Sequence, residues 1–506
     1  MNRNLLAVFE QRFQGAREQV LLETDVGGIW TNRDLDEHAA RFAHALTRAG
    51  ARRGDRVAVQ VEKSPEALAL YLACLRAGFV YLPLNVAYTP TEVAYFLRDA
   101  APSVFVCRLG TEAALAEIAV AARIGSVLTL DAEGNGSLMT VARQEGVVFE
   151  TVDAAADDLA VIIYTSGTTG RSKGAMLTHG NLVSNGETLV RAWAFTASDV
   201  LLHALPLFHV HGLFVANHCV LFSGARMLFH RKFDAQAVVR DLPRATVLMG
   251  VPTFYTRLLA EPSFTRAAAG NVRLFVSGSA PLLLDTFAEF EARIGQCILE
   301  RYGMSESGMI TSNPLAGERK GGTVGLALPG VGVRVADGDD HAVDSGEIGA
   351  IQIRGPNVFA GYWNMPEKTA EEFTADGWFR TGDVGVFDAG GYLSIVGRAK
   401  DLIITGGYNV YPKEIELVLD LADGVLESAV IGVPHPDFGE AVTAVVVPRP
   451  GAVLDESRLL AHLKTQLANY KVPKRVHVVD DLPRNAMGKV QKAHLRERFA
   501  VPPIPG

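Results

Sequence analysis

One segment of the chain has residue types and an order suited to holding phosphates: Val161-Ile-Ile-Tyr-Thr165-Ser166-Gly167-Thr168-Thr169-Gly170-Arg-Ser-Lys173-Gly174. A short apolar strand runs into a loop of glycines and hydroxyl residues, and a lysine follows. Glycines let backbone N–H groups come close to an anion, and hydroxyls donate further hydrogen bonds to phosphate oxygens. Lys173 adds a mobile positive charge. The pattern is not a Walker A loop, because the spacing differs and no Ser or Thr follows the lysine. A polar surface turn is the bland alternative, and the ordered strand-to-loop arrangement argues against it.

Elements able to position such a loop are legible around it. Arg56-Val-Ala-Val-Gln-Val61 reads as a buried strand, and Ser64-Pro65-Glu66 supplies an N-cap, an N1 proline and an early acid for a helix running to Gly78. Further strands are expected at 79–83 and 103–107, with a helix between them around 92–99. This alternation predicts an α/β fold with a mostly parallel sheet and helices on both faces. From about Gly325 short strands with glycine turns predict a β-rich subdomain over about 325–397. A compact α+β segment follows from 398. The expected division is therefore a large N-terminal domain, 1–397, and a small mobile domain, 398–506, with a hinge near 398–401.

At 506 residues, two or more domains are expected. A formal charge of −8 argues against a nucleic-acid surface or a polybasic membrane patch. The four cysteines lie far apart with no zinc spacing, which suits reduced thiols in a cytoplasmic protein. The N-terminal stretch has scattered charges and does not read as a signal peptide. The most apolar stretch, 201–224, contains Pro206 and four histidines, so it reads as core rather than a membrane span. Within it, His209-Val-His211 on a strand would point both rings to one face, but no convergent carboxylate or cysteine suggests a metal site.

Further motifs follow in order: Ser277-Gly-Ser279-Ala280-Pro281, Glu300-Arg301-Tyr302-Gly303-Met304-Ser305-Glu306, Gly377-Trp-Phe-Arg-Thr381-Gly-Asp383, Gly397-Arg398-Ala-Lys400-Asp401, Gly406-Gly407-Tyr408-Asn409 and Pro483-Arg484-Asn-Ala-Met-Gly488-Lys489. With the phosphate loop, they closely resemble the acyl-adenylate-forming superfamily of acyl-CoA synthetases, peptide-synthetase adenylation domains and luciferases. The resemblance covers nearly the whole chain. It implies ATP, Mg²⁺ and coenzyme A, with a carboxylate first adenylated and then passed to the CoA thiol.

The resemblance also implies roles. Thr165, Ser166, Gly167, Thr168, Thr169, Gly170 and Lys173 would hold the ATP phosphates. Tyr302 would stack on adenine, with Ser279, Ala280, Glu300, Arg301, Gly303 and Ser305 around the nucleotide. Family members usually have threonine where Ser305 stands, and serine keeps the hydroxyl. Glu306 would bind Mg²⁺, Asp383 the ribose hydroxyls, and Arg398 would assist there. Lys489 would reach the attacking carboxylate and the oxygen near the α-phosphate, stabilising charge in the transition state. Lys400 would sit at the hinge, and Gly406, Gly407 and Tyr408 would shape the CoA channel once the small domain rotates. Family behaviour also suggests a lysine acetyltransferase acting on Lys489.

For the acid, the wording Phe208-His209-Val-His211-Gly212 with Gly250-Val-Pro-Thr-Phe-Tyr255, Arg257 and Glu300 to Met304 resembles malonyl-CoA synthetases. There the matching arginine contacts the distal carboxylate, as a fork-shaped guanidinium does well. Taken alone, Arg257 reads as an arginine on an exposed helix face. His209 is expected to line the pocket, and Met304 with Ser279 would keep it short. Malonate is the expected substrate. One extra methyl gives only about 10–200-fold discrimination, so methylmalonate is a secondary one. The alternatives are a ligase for a medium-chain or aromatic acid, and an adenylation enzyme loading a carrier protein.

Overall fold

A computed structural model describes residues 2–13, 15–165, 172–405, 408–435, 438–485 and 488–500. The large N-terminal domain holds two mixed sheets and a small antiparallel one. The seven-stranded sheet runs in the order Gly361–Tyr362, Lys173–Thr178, Leu159–Thr165, Val80–Pro83, Arg56–Gln60, Val104–Cys107, Ser126–Thr129. Its last five strands are parallel, and Lys173–Thr178 returns antiparallel beside Leu159–Thr165.

The nine-stranded sheet has the order Leu326–Ala327, Gly308–Ser312, Leu299–Met304, Leu274–Ser277, Val247–Gly250, Val200–His203, Arg226–Phe229, Val20–Thr24, Ile29–Thr31. Its interior strands are parallel and its outer pairs antiparallel. The loops leaving 200–203, 247–250, 274–277 and 299–304 therefore emerge at one end of the sheet, the carboxyl end, where open α/β sheets bind ligands.

Between the two sheets lies the helix Pro65–Ala77. Ser64 Oγ accepts from the Ala67 N–H at 3.1 Å, Pro65 opens the helix, and Gly78 closes it at φ 71°. All its residues but Glu66 are buried, because it is covered on every side.

The β-rich stretch forms an antiparallel sheet of Gly332–Ala336, Gly349–Arg354, Phe379–Phe387 and Leu393–Arg398. Two of its short strands, Leu326–Ala327 and Gly361–Tyr362, leave to extend the two larger sheets.

The smaller C-terminal domain pairs Tyr408–Val410, Ile403–Thr405, Gly439–Pro448, Val425–His435 and Arg475–Val478. Helices Pro412–Asp420, Glu456–Gln466 and Lys492–Phe499 accompany them. Its apolar residues, such as Ile403, Leu419, Val442, Val446 and Leu463, form a core separate from that of the large domain. No helix among the described residues is long and apolar enough to cross a membrane.

The expectation for His209 and His211 needs correction. They do not lie on a strand: the strand ends at His203, and His211 opens a π-helical turn, His211–Ala216. Pro206 interrupts the extended chain, and Gly212 folds back so tightly that a Cβ there would stand 2.0 Å from the Pro206 carbonyl oxygen.

Candidate active site

Thr165 and Lys173 are direct cross-strand partners, so the hairpin pins both ends of the glycine- and threonine-rich loop. Ser166, Gly167, Thr168, Thr169 and Gly170 lie outside the described residues. Lys173 is buried, with Nζ 3.4 Å from Glu372 Oε1 and 4.1 Å from the centre of the Tyr362 ring. Tyr362 in turn donates its hydroxyl to Glu306 Oε1 at 3.1 Å. Burial pushes the Glu306 carboxyl above its usual range, against the pull of the nearby Lys173 and Arg398.

A second cluster adjoins it. Asp383 and Arg398 are cross-strand partners, and Arg398 Nε stands 2.7 Å from Asp383 Oδ1. Tyr302 donates its hydroxyl to Asp383 Oδ2 at 2.5 Å. A carboxylate has about four acceptor sites, so two remain for a diol. Glu300, two residues before Tyr302, accepts from the Leu282 N–H at 3.3 Å, while its Oε2 has no partner among the described residues. Burial raises its carboxyl to about 7.

Lys489 comes from the small domain to this cluster. Desolvation of its ammonium, and then the Arg398 charge, lower it to about 8, with Asp383 acting in the opposite direction. Its loop is seated by Gly488, whose φ is +75° and where a Cβ would lie 3.2 Å from Thr253 Cγ2 of the helix Pro252–Ala260. Arg449 and Asp285 form an ion pair between the two domains.

A third group lies around the loop Ser277–Pro281. Ser279 adopts φ +74°, unusual outside glycine and a mark of strain held at a site. Its hydroxyl is 3.3 Å from His211 Nδ1, and the His211 N–H donates to His209 Nδ1 at 3.3 Å. Arg301 is buried, and its guanidinium lies flat against Gly278, where a Cβ would meet Cζ at 2.5 Å. Arg301 Nε and Nη2 have no hydrogen-bond partner among the described residues. Burial lowers Arg301 to about 10, and burial together with the Arg301 charge lowers His209 to about 4. Leaving buried charged donors without partners in this way is costly.

The AMP-binding enzyme family matches residues 9–363, and the AMP-binding enzyme C-terminal domain matches 414–489. A feruloyl-CoA synthase from Amycolatopsis sp is 38% identical over 477 residues, 94% of each chain. A malonate–CoA ligase from Arabidopsis thaliana is 37% identical, covering 88% of this chain and 78% of its own. The chain belongs to the AMP-binding enzyme family, among its AMP-forming acyl-CoA ligases. In structure the ligase is similar to ATP-bound MatB from Rhodopseudomonas palustris, with 54% identity, 99% of both chains covered and a TM-score of 0.96. Against apo MatB, with the same identity and coverage, the score is 0.85. The overall chain arrangement of the ligase is therefore nearer the ATP-bound one.

The remaining candidates are scattered around this centre. Met304 and Ser305 are half-buried at the end of strand Leu299–Met304, and Gly303 faces the Gly308 carbonyl across a tight hairpin, where a Cβ would stand 2.3 Å from that oxygen. Ala280 is half-buried beside Ser279. Arg257 is exposed, one helical turn beyond Thr253 on the same face, and has no ion-pair partner among the described residues. Lys400 is exposed on the turn Ala399–Asp401. Tyr408 is 58% exposed and stacks on Tyr470, while Gly406 and Gly407 lie outside the described residues. Sequence reasoning missed Tyr362 and Glu372, and it placed Arg301 with the nucleotide alone. The one available signal was strand alternation, which sets Arg301 on the face opposite Glu300 and Tyr302.

Proposed function

We propose that this ligase makes malonyl-CoA: malonate and ATP give malonyl-AMP and pyrophosphate, and CoA then gives malonyl-CoA and AMP. The observation that carries the reading is the buried Arg301 guanidinium, whose Nε and Nη2 have no hydrogen-bond partner among the described residues, beside His209, His211 and Ser279. It suits the distal carboxylate of a short diacid. Arg257, on the face that seats the Lys489 loop, adds a second cation at the mouth, and Met304 limits depth.

The order of the motifs supports a role for each residue. The loop Ser166–Gly170, with Thr165 and Lys173, holds the β- and γ-phosphates. Tyr302 stacks on adenine, with Ser279, Ala280 and Gly303 around it, while the free oxygen of Glu300 accepts from its amine. Asp383, oriented by Tyr302 and Arg398, takes the ribose hydroxyls, and Ser305 contacts the α-phosphate. Mg²⁺ fits Glu306: a single buried carboxylate with the phosphates is the usual set for this ion, and no group of three His, Cys, Asp or Glu suited to a metal occurs among the described residues. When bound, the ion neutralises charge on the phosphates. Lys489 binds the attacking carboxylate and the bridging oxygen, stabilising charge as the P–O bond breaks.

The small domain, 398–506, then turns about Lys400 against 1–397. This withdraws Lys489 and brings in Gly406, Gly407 and Tyr408, so that the CoA thiol displaces AMP. Acetylation of Lys489 would remove its charge. Four free cysteines, three of them buried, support a reducing cytoplasmic setting.

With Lys489 near 8, its working ammonium is lost as pH rises. Adenylation kcat/KM should therefore fall about tenfold per pH unit above about 8, while transfer from preformed malonyl-AMP stays level. Lys489→Arg should move that limb beyond the measurable range; a limb unmoved in the variant would assign the titration to another group.

A second reading, an aromatic-acid ligase, is favoured by the feruloyl-CoA synthase relative. A pyrophosphate-release panel of malonate, methylmalonate, acetate, octanoate and ferulate decides between them. Ferulate or octanoate turned over faster than malonate sinks the malonate reading. In the same panel Arg257→Ala should lower malonate kcat/KM about tenfold and spare acetate, whereas equal loss for both would remove its role.

A further inference from the structure

We propose that Lys63 is a positioning residue for the acid pocket: it anchors His203, and through His203 the turn that carries His209 and His211. The inference rests on the placement of the acid pocket given above.

Lys63 follows the strand Arg56–Gln60 of the seven-stranded sheet and is only 7% exposed. It crosses to the end of the strand Val200–His203 in the nine-stranded sheet. Its Nζ lies 2.8 Å from His203 Nδ1, 2.8 Å from the His203 carbonyl oxygen and 4.2 Å from the centre of the Phe229 ring. Its N–H groups are placed to donate to both His203 acceptors, with the Phe229 ring alongside. Burial pushes the Lys63 amine well below its usual range, with the Asp25 charge pulling the other way. A buried amine with no ion-pair partner at hydrogen-bond distance among the described residues is costly to keep, so its retention at the seam between two sheets calls for a reason.

The reason lies one bond further on. His203 Nε2 is 3.0 Å from the Gly212 carbonyl oxygen. A carbonyl only accepts, so Nε2 carries the hydrogen. Burial and then the Lys63 charge hold the ring neutral, so Nδ1 must accept, and Lys63 donates to it. The same Gly212 oxygen also accepts from Asn217 Nδ2 at 3.0 Å. Gly212 is thus tied from two sides and has no room for a Cβ against Pro206. His211, its neighbour in sequence, has Nδ1 3.3 Å from Ser279 Oγ. The wall of the acid pocket is therefore suspended from Lys63 through His203, while the nucleotide cluster of Tyr302, Asp383 and Arg398 is held by bonds of its own.

Steady-state kinetics on the full chain test this. Lys63→Met should raise KM for malonate about tenfold, the effect of about one lost buried hydrogen bond, and leave KM for ATP within about twofold. His203→Asn, which loses the donor to Gly212, should do the same. His203→Gln, which keeps a donor where Nε2 stands, should raise it less than about threefold. A parallel rise in both KM values, or equal damage from His203→Gln and His203→Asn, overturns the proposal. Nitrogen-15 NMR of histidine-labelled wild type gives an independent readout: protonated Nε2 and bare Nδ1 at His203 support the chain of bonds, and a proton on Nδ1 overturns it. Should wild type fail to use malonate, the malonate reading falls by itself, and the same KM split with the acid it does use still decides the role of Lys63.

Discussion

Lys489→Ala should lower malonyl-AMP formation by about 10²- to 10³-fold, the scale for losing one group aimed at transition-state charge. Transfer from synthetic malonyl-AMP to CoA should change less than about threefold. The asymmetry follows from placement. Lys489 lies close enough to Asp383 and Arg398 for their charges to act on its ammonium, and Gly488 is wedged against Thr253. Tyr408, proposed for the other half-reaction, is meanwhile exposed and stacked on Tyr470. A lysine engaged in one pose and withdrawn in the other serves one step only. The two half-reactions are read separately, by pyrophosphate release and by thioester formation. Equal damage to both would refute the two-pose account.

Arg301→Met should cost about 10²- to 10³-fold in kcat/KM for malonate, the range for removing one partner of a buried charge pair. Acetate, which has no second carboxylate, should lose less than about tenfold, and the Kd for ATP should stay within about threefold. Methionine fills much of the volume and removes a buried charge, so the variant should fold as well as the parent. Loss of malonate and acetate activity in equal measure would mean that Arg301 serves the nucleotide or the frame instead. Calorimetric titration of ATP separates those two outcomes.

Much of the architecture could be read from local signals. The strand at Arg56, the Ser64-Pro65-Glu66 helix start and the Gly78 stop are set by neighbours in sequence, and the structure keeps them. The order of motifs likewise pointed to an adenylating enzyme. What escaped depends on distance along the chain. The Lys173–Glu372 contact joins residues 199 apart, and the Lys63–His203 contact joins residues 140 apart. Lys173 is marked by its loop, but neither Glu372 nor Lys63 has a local pattern to mark it. His209 and His211 fall off the strand because Pro206 and the close approach of Gly212 end it at His203. Arg301 was hidden by its neighbour: Tyr302 drew it into the nucleotide reading.

The flat contact between Gly278 and Arg301 also constrains how this pocket can be inherited. Any side chain at position 278 would occupy the space of the guanidinium, with a Cβ 2.5 to 2.7 Å from three of its atoms. The glycine is therefore favoured for as long as the buried guanidinium keeps this place. Were the arginine exchanged for a small apolar residue, a slot would open beside bare backbone, and a void of that kind destabilises until it is filled. Redesign toward a neutral or longer acid should then begin with paired libraries at 278 and 301, since single changes at 278 meet a clash and single changes at 301 leave a hole.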